Sequence, residues 1–95
     1  MNLFDIETLE KEDVLVVEQK QRSLVVYNDD FNTFDFVIES LIKYCGHEPE
    51  QATQCTYLIH YKGQCAVKNG SYKQLKPICE ALLEKGLTAK IEYAN

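Results

Sequence analysis

SLVVYNDDFNTFDFVIESLIKYCG, residues 23–46, changes its periodicity at one point, and that change decides the fold. Residues 23–27 form an almost wholly apolar run, which predicts a buried strand. Asn28-Asp29-Asp30 follows, a set that favours a turn because short polar side chains bond nearby backbone amides. Beyond it, Phe34, Val37, Ile38, Leu41, Ile42 and Cys45 recur at i, i+3, i+4, i+7, i+8 and i+11, one face of a helix. Asn32 is the expected N-cap, Asp35 suits the positive end of the helix dipole, and Gly46 supplies the left-handed stop.

Downstream, Pro49 can open a second helix with Glu48 and Glu50 at its acidic start. Ala52, Cys55, Thr56 and Ile59 then share a face until Gly63 ends it. Residues 64–67 read as a short strand and Asn69-Gly70 as a turn. Leu75, Ile78, Cys79, Leu82 and Leu83 have helical spacing, with Pro77 either starting that helix or kinking it and Gly86 closing it. Residues 88–93 alternate, with Ala89, Ile91 and Tyr93 on one side. The order is β-α-α-β-α-β, an α+β two-layer sandwich with helices on one face of a small, largely antiparallel sheet.

Upstream, residues 1–22 carry six acids against three bases and few apolar residues before Val14, which reads as an acidic arm. Within it residues 14–17 are β-prone, so an extra N-terminal strand or hairpin is an option. The expected organisation is an arm over 1–22 and a core domain over 23–95, since 95 residues have room for one adequate core.

Composition then removes whole classes of function. A net charge of −5 with no Lys/Arg cluster argues against nucleic acid as a partner. The chain has no apolar run of bilayer length and no signal-peptide pattern at its start, so the expectation is a cytoplasmic protein without a membrane partner. Cys45, Cys55, Cys65 and Cys79 are spaced for neither a zinc knuckle nor a disulfide framework, and reduced, mostly buried thiols are expected. Catalysis finds no support either: His60 is five residues from both Cys55 and Cys65, and no HExxH, glycine-rich phosphate loop or nucleophile elbow is present. A metal on Asp29, Asp30 and His60 would lack any ligand-spacing signature, so neither metal nor cofactor is expected.

Two features exceed what a plain domain needs, the Asn28-Asp29-Asp30 turn and His60 on the second helix. They admit a bland reading, as a strand-to-helix turn and a solvent-facing histidine. They also admit a functional one, in which Asn28, Asp30 and a neutral His60 converge as three acceptors for a primary ammonium, which has three donors and no acceptor. Phe34, Val37, Thr56 and Ile59 would then wall an apolar pocket for the adjoining side chain, although Val37 and Ile59 fit equally well as core.

These residues resemble the ClpS adaptors. The resemblance rests on NDDFNTFDFV (residues 28–37), EQATQCTYLIHYKG (50–63) and EKGLTAKIE (84–92), which fall at the family's separations, and it covers roughly residues 23–93, most of the chain. It implies a non-enzymatic adaptor that binds destabilising N-terminal residues of substrate proteins and delivers them to a Clp AAA+ ATPase of ClpA or ClpC type. Asn28, Asp30 and His60 would take the α-amino group, Asp29 would support the turn, and Asn32, Phe34, Val37, Thr56 and Ile59 would line the side-chain pocket. The arm would enter the ATPase during delivery, and a monomer is expected. Phe34 and Thr56 stand where many members have Met, Ala89 where a Leu often closes the pocket, and Asn32 in place of a common Thr. The segment between Gly63 and the third helix is shorter than in the best-known members. The pattern is similar to Bacteroidetes-type sequences, which implies a ClpC-like partner. The competing readings are a scaffold or regulator of the Clp ATPase with a degenerate pocket, and a thiol or metal enzyme.

Overall fold

A computed structural model describes residues 21–94. The arm expected over 1–22 and its optional strand at 14–17 therefore lie outside the described residues, apart from Gln21 and Arg22.

Six elements follow one another: β1 (Arg22–Tyr27), α1 (Phe34–Cys45), α2 (Pro49–Lys62), β2 (Gln64–Gly70), α3 (Tyr72–Glu84) and β3 (Thr88–Tyr93). The sheet order is β2-β1-β3 and both pairings are antiparallel, so β1, the most apolar strand, takes the centre. Leu24 and Val26 on β1, Val67 on β2 and Ala89 on β3 form the sheet's share of the core. Leu41, Cys45, Ala52, Ile59, Leu75 and Leu82 pack onto them from the helices.

Each helix end has an identifiable cause. Thr33, not Asn32, caps α1, its hydroxyl accepting from the Phe36 amide at 3.1 Å. Asn32 is withdrawn from capping because its side-chain amide donates elsewhere, to Asp29 and to the Gly86 carbonyl. α2 opens on Pro49 behind Glu48, which makes no side-chain cap. α3 starts five residues before Pro77, at a capping box in which Ser71 and Gln74 each bond the other's backbone amide. Pro77 therefore lies inside the helix, neither starting it nor ending it.

β2 is longer than the sequence pattern suggested. Alternation fails after Val67 because the β1–β2 register shifts there, Leu24 pairing with Lys68 and Val25 with Ala66. This bulge moves the inward position from Val67 to Gly70, so the inside-outside rhythm breaks while the strand continues. Asn69-Gly70 is accordingly strand, with Ser23 Oγ donating to Asn69 Oδ1 at 2.8 Å, and the chain passes from it through the extended N-cap Ser71 into α3. A Cβ at residue 70 would stand 2.8 Å from Gln74 Oε1, an atom of the capping box, which accounts for glycine there without any hairpin.

The apolar stripes also end short of their edges. Ile42 and Leu83, counted on the inner faces of α1 and α3, are 37% and 49% exposed. Tyr93, the last residue of the β3 alternation, is exposed beside the Arg22 guanidinium, which lies 4.1 Å from its ring centroid.

Candidate functional site

The turn between β1 and α1 is fastened at three places. Asp29 Oδ1 accepts from the amides of Phe31 and Asn32, both at 2.8 Å, and Oδ2 accepts from Asn32 Nδ2 at 2.6 Å. The same Asn32 amide group donates to the Gly86 carbonyl at 2.9 Å, tying the turn to the loop between α3 and β3. On the other side, the Asn28 amide donates to the Gly63 carbonyl at 2.9 Å. Gly63 holds φ 93°, the left-handed conformation that closes α2, and its own N–H returns to Ile59. The turn is thereby fixed against the end of the helix that carries His60.

This stitching divides the five turn residues by role. Burial pushes the Asp29 carboxyl up, but the hydrogen bonds from the Asn32 amide, the Asn32 side chain and the Phe31 amide outweigh it, so its pKa is held below the ordinary 3.8. Asp29 is thus an anion already engaged in holding the turn. Asn28 and Asp30 are exposed, and among the described residues their side chains make no hydrogen bond. His60 is exposed too, on the last turn of α2, and its ring contacts are aromatic: Phe34 at 6.3 Å and Tyr61 at 5.0 Å, both edge-on.

Below the turn, the residues proposed from sequence as pocket walls have a different character. Phe34, the first residue of α1, is half-buried, its ring edge-on to Tyr57 at 4.7 Å. Val37, Thr56 and Ile59 are 8%, 2% and 3% exposed. Val37 and Ile59 belong to the main core, and the Thr56 hydroxyl is spent on the Ala52 carbonyl at 2.7 Å. They form a floor between α1 and α2 rather than upright walls.

Sequence reasoning passed over the tyrosines of α2, which continue the Phe34–His60 cluster outward, and over His47. His47 is 6% exposed, and its Nε2–H donates to the Val67 carbonyl at 2.5 Å, pinning the α1–α2 connection to the bulge of β2. A lone histidine just past a helix-ending glycine carries no periodic signal, so nothing marked it as buried.

The chemistry that this arrangement can do is binding. Asn28, Asp30 and His60 are each exposed, with an amide oxygen, a carboxylate and an imidazole open to solvent, while Val37, Thr56 and Ile59 are buried. The thiols point the other way: burial pushes Cys45 up to about 11, burial and then the hydrogen bond to Cys55 push Cys65 up to about 12, and burial raises Cys79. Thiols held that far up are protonated at neutral pH and are poor nucleophiles. Among the described residues no group of three His, Cys, Asp or Glu side chains could hold a metal ion, and no helix is long and apolar enough to cross a membrane.

Comparison with known proteins identifies the fold and the family. A solved structure, Agrobacterium tumefaciens ClpS2 bound to L-phenylalaninamide, matches the fold with a TM-score of 0.66 at 19% identity, over 78% of this chain and 96% of that one. The ATP-dependent Clp protease adapter protein ClpS of Thermosynechococcus vestitus is 41% identical over 66 residues, 68% of this chain and 70% of the relative. That of Nostoc sp. is 40% identical over 73 residues, 75% of each chain. The family model described as ATP-dependent Clp protease adaptor protein ClpS matches residues 17–90, which takes in the turn, the floor and His60, and the chain belongs to that family.

Proposed function

We propose that this chain binds the N-terminal residue of substrate proteins and delivers them to a Clp AAA+ ATPase-protease, itself catalysing nothing. The observation that carries the reading is the division of labour in the turn. Asp29 and Asn32 spend their side chains on fastening it, while Asn28, bonded through its backbone to Gly63 at the end of α2, and Asp30 keep their side-chain acceptors uncommitted. An α-ammonium supplies the three donors that Asn28, Asp30 and neutral His60 can accept; its charge assists all three bonds, and the carboxylate turns one of them into an ion pair. The first side chain then descends toward Phe34, Val37, Thr56 and Ile59. The ligand of the Agrobacterium relative, an amino acid with a free amino group and an amidated carboxyl, has the chemistry of a chain's first residue.

The partner in this reading is the N-domain of a ClpA- or ClpC-type ATPase, a ClpC-like one by the sequence variant. The adaptor acts as a cytoplasmic monomer, and residues 1–22 serve as the arm presented to the ATPase. Fluorescence anisotropy with paired peptides tests the ligand. A peptide beginning with free Phe, Leu, Tyr or Trp binds, and its N-acetylated copy, having lost the ammonium, binds roughly tenfold to a hundredfold more weakly. Acidification that protonates the imidazole weakens binding by repulsion, and His60→Ala abolishes that pH response. Equal affinity for the free and blocked peptides refutes the reading.

One observation favours a second reading. The Phe34 ring lies against Tyr57 and beside His60, and the floor residues are almost fully covered, as in a pocket that has closed. The chain would then be a ClpS-fold scaffold or regulator of the ATPase, which pull-down with the ATPase N-domain, in the absence of any N-terminal peptide affinity, would establish.

A further inference from the structure

α2 is apolar on two sides. Its inner face carries Ala52, Thr56 and Ile59, and its outer face exposes Tyr57 (49%), Leu58 (45%) and Tyr61 (71%). The two tyrosines stack, one helical turn apart, with ring centroids at 5.7 Å and planes 10° from parallel. Their rings and those of Phe34 and His60 form a closed circuit of contacts, from Phe34 to Tyr57, to Tyr61, to His60 and back to Phe34. Beside the tyrosines lies a recess of about 300 Å³ lined by Gln54, Tyr57, Leu58, Tyr61 and Lys62. A contiguous exposed apolar patch on a small domain marks something that it touches.

We infer that this strip is a second subsite, which takes an apolar side chain at the second or third residue of the bound N-terminus. The inference rests on the reading of Asn28, Asp30 and His60 as the α-amino site. With the amino group held there and the first side chain over the floor, the rest of the peptide must leave across exposed surface. The aromatic surface is continuous with the site, since the Tyr61 ring lies 5.0 Å from that of His60. An extended chain advances about 3.3–3.6 Å per residue, so a chain that leaves His60 on the Tyr61 side brings its second or third residue within reach of that ring. An occupant entering the recess meets the flat tyrosine faces and Leu58, which suits an aliphatic or aromatic group.

The test is a ratio of affinities measured by anisotropy on the full chain, with peptides beginning Phe-Leu and Phe-Gly and labelled at the far end. The wild-type chain binds Phe-Leu about fivefold more tightly than Phe-Gly. In the Leu58→Ser/Tyr61→Ala variant the ratio falls to about one, whereas Tyr61→Phe keeps it. Both substituted side chains are well exposed, and a ratio cancels any general loss of affinity. A wild-type ratio of one, or a ratio that survives in the double variant, overturns the subsite while leaving the amino-group reading intact. That reading fails separately, if N-acetylated Phe-Leu binds as well as the free peptide. Sedimentation of the same samples covers the other occupant: a wild-type dimer that the double variant converts to monomer assigns the strip to a second copy of the chain and overturns the proposal.

Discussion

The turn at residues 28–32 and the floor made by Val37, Thr56 and Ile59 serve one site in the proposed reading, yet they are held in place by different physics. The turn is a network of directional bonds made by a few atoms, most of them from Asp29 and Asn32. The floor is held by packing, and its residues belong to the core whether or not anything binds above them. A network of this kind can fail locally, whereas a packed floor fails only with the whole fold. The difference separates what sets affinity here from what sets stability.

The largest effect tests the floor. Ile59→Ala removes a side chain that is 3% exposed in the main cluster, and should cost about 3 kcal/mol in a denaturant titration. Peptide affinity should fall with it, through the fraction folded and through the lost contact with the first side chain, which rests on this floor in the proposed reading. A variant that stayed near wild-type stability but lost peptide binding would show that Ile59 faces a cavity, and would erase the contrast between the two regions.

Asp29→Ala tests the turn and should be smaller in stability, roughly 1–2 kcal/mol for three accepted bonds at a partly exposed carboxylate, while peptide affinity falls at least tenfold because Asn28 and Asp30 lose their fixed positions. The pH dependence has a definite sign. Folding lowers the Asp29 pKa, so its contribution is complete above the ordinary 3.8 and is lost as pH falls through the lower folded value. The stability gap between wild type and Asp29→Ala should therefore be constant at neutral pH and close only in acid. A gap that closed near pH 7 would mean that another group carries it.

The same contrast governs how much could be read from the sequence. The extent of α1 follows from six apolar positions at helical spacing, because packing writes itself as periodicity. The floor was legible only as an ambiguity, since a residue beneath a pocket and a residue in a core obey the same spacing. Asn32 was misread as a cap, because its side chain is held by Asp29 and by the Gly86 carbonyl, and the second partner lies 54 residues away where no local pattern encodes the bond. The end of β2 was misread because a bulge breaks alternation in the way that a turn does. The three residues proposed to take the ammonium were found through a motif, not through periodicity, and what the structure adds is the Asn28–Gly63 bond that seats the turn against the helix end.

The smallest effect sharpens the boundary between turn and helix. Thr33→Ala removes the N-cap acceptor of the Phe36 amide and should cost about 1 kcal/mol in thermal or denaturant unfolding. Peptide affinity should barely change, because the bonds that fix the turn come from Asp29 and Asn32, not from Thr33. Asn32→Ala should do the reverse: it cuts the links to Asp29 Oδ2 and Gly86 while Thr33 still caps α1, so affinity drops more than stability. If the two neighbouring substitutions gave the same pair of changes, the turn and the helix start would be one cooperative unit, and the assignment of separate tasks to adjacent residues would be wrong.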